Sequence, residues 1–129
     1  METETNNSQK IEDKLSIEDL RRLTKAKSAQ PLPKKDMIAL MGKDIELYHV
    51  LVHPVSIVDE DTGEVKNTFR VVLEIGPDKF LAFVSDSAIE FARLLEQYKP
   101  SLNFEGKLKF RFFEVSTRRG YRTFTFEVV

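Results

Sequence analysis

The chain has 129 residues, with ten Phe, no Cys, no Trp and a formal net charge of −1. That length holds one domain of about 100 residues plus an arm, and is too short for two domains. Without Cys there are no disulfides, zinc–thiolate sites or thiol chemistry, and no stretch approaches the roughly 18–20 apolar residues of a membrane-spanning helix.

In chain order, residues 1–14 lack periodicity and hold few apolar groups, so they read as disordered. The polar, acidic start Met-Glu-Thr-Glu-Thr-Asn-Asn-Ser is not that of a secretory signal, and a cytoplasmic protein is expected. Ser16 can cap a short helix over about 16–26, with Ile17, Leu20 and Leu23 on one stripe and Arg21, Arg22, Lys25 and Lys27 around it. So short a helix is marginal alone, so it docks either on the domain or on a partner. Residues 28–35, with Pro31 and Pro33, read as an extended linker. Residues 1–35 therefore form a flexible arm and residues 36–129 the folded domain.

Ile45–Val58 reads as a long first strand, apolar on both alternating sets, with Pro54 favouring a bend or an edge position. Asp59 to Glu64 is a turn in which Gly63 supplies positive φ. Phe69, Val71, Leu73 and Ile75 alternate with Thr68, Arg70, Val72 and Glu74 in a second strand, and Phe80–Val84 is a third. The period then changes. Ser85–Tyr98 places Ala88, Phe91, Ala92, Leu95 and Tyr98 on one helical face, with Ser87 and Glu90 as a capping box and Pro100 as the stop. Leu108, Phe110 and Phe112 mark a fourth strand, and Phe124, Phe126 and Val128 a fifth. The order β-β-β-α-β-β predicts a mainly β protein: a five-stranded Greek-key OB-fold barrel with one helix between strands 3 and 4. A plain α+β sheet with a helix on one face has the same order.

The run from His53 to Val65, then Thr68–Leu73, Phe83-Val84-Ser85 and the closing Thr117–Phe124 hairpin, resembles the single-stranded DNA-binding proteins of bacteriophages and mobile elements. The resemblance covers about residues 45–129. It implies the OB barrel and sequence-tolerant binding of single-stranded DNA in replication or recombination. The bacterial members of that functional class end in an acidic recruiting tail, whereas this chain ends in a predicted strand, which leaves the amino-terminal arm as the recruiting segment.

Binding one strand takes cations for phosphates and accessible rings for bases. The cations are Arg70, Lys107, Lys109, Arg111, Arg118, Arg119 and Arg122; the last three crowd one turn and repel one another unless an anion joins them. Between residues 104 and 123 only Glu105 and Glu114 oppose six cations, whereas residues 36–64 hold seven carboxylates and one Lys, so phosphate binding must be local. Phe113, out of phase with Phe110 and Phe112, and Tyr121 beside the basic turn are the expected stacking rings; Tyr48 is a further candidate, and Phe69 reads as core. His49 and His53, four apart on a strand, lie about 13 Å from each other and are not a metal pair. The acidic turn at 59–64 is too short for a calcium loop. No phosphate loop or catalytic triad appears, so neither enzyme nor cofactor is expected.

The expected role is a non-catalytic single-stranded DNA-binding protein, capable of homo-oligomerisation and not membrane-bound. The alternative is an interaction subunit of a larger replication or transcription assembly, docking through its arm and barrel surface.

Overall fold

The computed structural model describes residues 17–116, 120 and 122–129. Their elements are α1 (Ile17–Lys27), α2 (Lys34–Leu40), β1 (Ile45–Val58), β2 (Val65–Gly76), β3 (Lys79–Phe83), α3 (Asp86–Tyr98), β4 (Asn103–Ser116) and β5 (Arg122–Val128). The fold is mainly β: one antiparallel five-stranded sheet in the order β3-β2-β1-β4-β5, with three described helices.

β1 is the centre of the sheet. It pairs with β2 from His49↔Glu74 to Val58↔Val65, and with β4 only from Ile45↔Phe110 to His49↔Asn103. A bulge between Leu47 and His49 shifts its alternation, so Ile45, Leu47 and Val50 enter the main core while His49 is buried and Leu51 packs in a second cluster. This explains why β1 is apolar on both alternating sets: both faces are covered. Beyond Val50, whose N–H still donates to the Leu102 carbonyl at 3.1 Å, β2 is the only strand alongside among the described residues, and Pro54, without an N–H, falls in that one-sided stretch.

The main core joins these residues to Val71, Leu73, Leu81, Phe83, Phe104, Phe110 and Phe112, and to Ala88, Ile89, Phe91, Ala92 and Leu95 of α3. Phe91 stacks on Phe126 with centroids 5.0 Å apart and planes 9° apart. The helix is capped by Ser85, whose Oγ accepts from the Ala88 N–H, and not by the box expected from Ser87 and Glu90. The Ser87 hydroxyl instead donates to the Phe124 carbonyl on the outer edge of β5. Lys99, preceding Pro100, is forced into extended backbone and ends the helix. Tyr98, expected on the buried face, is 78 % exposed because it stands one turn past Leu95, the last residue that face buries.

The sheet curls without closing by hydrogen bonds, since no β3–β5 ladder forms among the described residues. Its two ends nevertheless meet, the Phe83 ring lying 5.1 Å from both Phe124 and Phe126.

The arm lies against the opposite face of the sheet. Ala26 is buried against Val72 and Phe80, with Leu51, Ala82 and Ala29 around them. Arg22 pairs with Glu74 at 3.5 Å, Lys25 pairs with Asp78, and the Leu32 N–H donates to the Phe80 carbonyl at 3.0 Å. α2 is not among the elements expected from the sequence; it spans the end of the expected linker and the start of the expected domain. Its seven residues lack a side-chain cap, a length at which periodicity gives no signal, and it forms because Met37, Leu40 and Met41 pack on the core.

Candidate nucleic-acid interface

Two hairpin ribbons extend beyond the body of the sheet. β3 leaves β2 at Val71↔Phe83, so Pro54–Val58 and Val65–Phe69 continue as a two-stranded ribbon. Its turn satisfies itself: the Asp59 carboxylate accepts from the N–H groups of Asp61 at 2.8 Å and Thr62 at 3.3 Å, and Gly63 adopts φ +76°. The second ribbon is β4–β5, paired out to Ser116↔Arg122 although β1 leaves β4 at Phe110. Glu114, Val115, Ser116 and Arg122 are all exposed.

The expected cations among the described residues are dispersed, each with its own surroundings. The Arg70 guanidinium donates to the carbonyls of Ala29 at 3.1 Å and Lys27 at 3.4 Å, which makes it the clasp of the arm. Its Nη1 also lies 3.4 Å from His53 Nε2. Burial, and then the Arg70 charge, hold the His53 imidazolium below its ordinary value. Beneath α1, burial raises the Glu74 carboxyl, and Arg22 offsets part of that.

Arg111 pairs with Asp44 at 2.5 Å, which raises the guanidinium further above its already high value. Arg122 pairs with Glu114 across the ribbon at 2.8 Å, and Lys107 with its neighbour Glu105 at 3.4 Å. Lys109 makes no ion pair among the described residues. Arg118, Arg119 and Tyr121 lie outside the described residues. Exposed ion pairs contribute about 0–1 kcal/mol each, so Arg122 and Lys107 remain exchangeable for a phosphate.

The rings redistribute as well. Phe113 is half-buried beside the turn at Gly42, whose N–H donates to the Phe112 carbonyl at 3.0 Å. Tyr48 lies over Gly106, where an added Cβ would sit 2.8 Å from its ring. Phe69, expected in the core, is 42 % exposed. It keeps the phase of Val71 and Leu73 but stands beyond the last β3 partner, on the free β1–β2 ribbon, where its side of the strand is no longer roofed. Around it Lys66, Asn67, Thr68 and Arg93 line an open groove together with Asp86 and Glu90.

Sequence reasoning missed Tyr98 and Lys99, which join Lys107 and Lys109 along a groove between α3 and the ends of β4 and β5. The signal available was only that Tyr98 is the last residue before the Lys-Pro stop. No helix among the described residues is long and apolar enough to cross a membrane. Compared with protein-family models, curated proteins and solved structures, the chain matches none.

Proposed function

We propose that the chain is a non-catalytic single-stranded DNA-binding protein built on an OB barrel left open between β3 and β5. The barrel reading rests on strand order, on the bulged β1 shared between β2 and β4, and on the aromatic contact of Phe83 with Phe124 and Phe126. One observation carries the function: the β4–β5 ribbon runs on past the sheet that would support it. A lone two-stranded ribbon is marginal in water, and this one carries Arg122 and a connection holding Arg118 and Arg119, with Glu114 as the sole carboxylate from 112 to 122. A phosphate backbone laid along it relieves the repulsion, and Phe69 and Tyr121 supply rings for bases. The resemblance to phage and mobile-element proteins is the ground on which we propose that this binding serves DNA replication or recombination in a host cytoplasm.

The test is fluorescence anisotropy of a labelled oligonucleotide at two ionic strengths. Binding weakens steeply with salt, with a log–log slope near 0.7 per phosphate contact for single strands. Arg118→Ala, Arg119→Ala and Arg122→Ala together lower both affinity and slope. Absence of binding at low salt, or a slope untouched by the triple change, rules the reading out.

The second reading, an interaction subunit of a larger assembly, is favoured by α1: Ile17 is 69 % and Leu20 53 % exposed, an apolar stripe turned away from the sheet. A stoichiometric protein partner lost on Leu20→Asp, with no oligonucleotide affinity, is its distinguishing result.

A further inference from the structure

We propose that the groove between α3, the amino-terminal end of β4 and the carboxyl-terminal end of β5 is a docking site for an acidic protein segment carrying apolar anchor side chains. The groove encloses about 730 Å³. Its floor is apolar: Phe91, Leu95, Phe104 and Phe126 come from the core and its margin, and exposed Leu94, Val128 and Val129 line it as well. Exposed apolar side chains converging on one concavity, where lone ones scattered over a surface would need no explanation, mark a surface that receives another molecule.

The rim decides the chemistry of the occupant. Lys99, Lys107 and Lys109 surround the floor, and among the described residues only Lys107 of the three has an ion-pair partner, the exposed Glu105. Among the described residues the one side-chain carboxylate lining the groove is Glu127, which stands opposite Arg111 in the β4–β5 register and acts on its charge. Three cations around an aliphatic and aromatic floor complement a segment that alternates Asp or Glu with Leu, Ile or Phe. A nucleic-acid strand fits less well. Its bases need accessible flat rings and hydrogen-bonding edges, and among the described lining residues Tyr98 is the one exposed ring, Phe91 and Phe104 being buried and Phe126 half-buried.

This site is separate from the basic ribbon, so it does not depend on the strand-binding reading. The experiment selects a library of displayed random 12-residue peptides against the full chain, then measures a labelled winner by anisotropy. Enriched peptides carry Asp or Glu beside Leu, Ile or Phe. Their affinity falls about tenfold or more on Lys107→Glu with Lys109→Glu, and on Leu94→Asp, which alters an exposed floor residue without touching the core. Lys43→Glu, on an exposed turn elsewhere, leaves it unchanged. Failure to enrich any peptide, enrichment of peptides without acids, or indifference to Leu94→Asp overturns the proposal. So does a concentration-dependent dimer that Leu94→Asp abolishes, which assigns the groove to a second copy. Loss of oligonucleotide binding in the double lysine variant, with the ribbon arginines intact, assigns it to the strand and overturns the proposal equally.

Discussion

Phe83 on β3 and Phe126 on β5 stand edge to face, centroids 5.1 Å apart and planes at 84°, although their strands are the two ends of the hydrogen-bonded sheet. Side-chain packing thus joins what the backbone leaves open. Phe83 also meets Phe112 at 5.7 Å and Phe124 at 5.1 Å, so one ring ties β3 to both strands of the carboxyl-terminal hairpin. Phe83→Ala is expected to cost about 3–5 kcal/mol by urea denaturation, the range for deleting a buried aromatic. A loss under about 1 kcal/mol would mean that the two ends of the sheet are not energetically joined.

Arg70 is expected to act on the arm more than on the barrel. Arg70→Ala removes two charge-assisted hydrogen bonds to Lys27 and Ala29, bonds worth about 1.5–3 kcal/mol each where well buried and less at this half-exposed position. Amides from α1 to Leu32 should exchange about tenfold faster or more, while those of Leu47 and Leu73 keep their protection. Equal acceleration in both sets would refute a separable arm.

The same junction is pH-sensitive. His53 has its folded-state value below the ordinary 6.5, so the unfolded chain takes up the proton first. Stability from neutral His53 is complete above 6.5 and is lost as acid carries the pH down towards the lowered folded value. Glu74, raised from 4.5, works in the opposite direction, because its buried charge is relieved on protonation. Comparing wild type with His53→Gln cancels that contribution. The stability of the variant relative to wild type should rise between about pH 7.5 and 5.5; a constant difference across the window would contradict the assignment.

Gly106 should tolerate no side chain. It adopts φ +78°, and an added Cβ would lie 2.8 Å from Tyr48 Cε2 and 2.9 Å from Cζ. Gly106→Ala is expected to cost about 2–4 kcal/mol, from left-handed backbone and overpacking together. In a Tyr48→Ala background the same change should cost only about 1–2 kcal/mol, the backbone part alone. A double-mutant cycle with no coupling would show that the ring moves aside freely.

Glu114 restrains Arg122 on the ribbon. Glu114→Gln should alter stability by at most about 1 kcal/mol, as for exposed ion pairs. In anisotropy it should strengthen oligonucleotide binding, because one guanidinium is released and one repulsive carboxylate removed. Weaker binding would place the strand elsewhere.

What could be read from the sequence alone was governed by near neighbours. Alternation in Val71–Leu73 and Phe110–Phe112, the turn at Gly63, the helix ending before Pro100 and the docking-dependent helix after Ser16 all follow from the conformational preferences of a few adjacent residues, and they delivered the order of every described element except α2. Tertiary structure decided the rest. Arg111 meets Asp44 across 67 positions, and Arg70 meets Ala29 and Lys27 across 41 and 43, so no local pattern reveals that these cations are already engaged. Phe69 and Tyr98 kept the phase of buried neighbours yet emerged into solvent, because periodicity specifies which side of an element a residue occupies and not where the opposing layer ends. The groove rimmed by Lys99, Lys107 and Lys109 exists only once α3 is laid beside the ends of β4 and β5. Charge and apolar area acquire function by juxtaposition, and juxtaposition is a property of the folded chain.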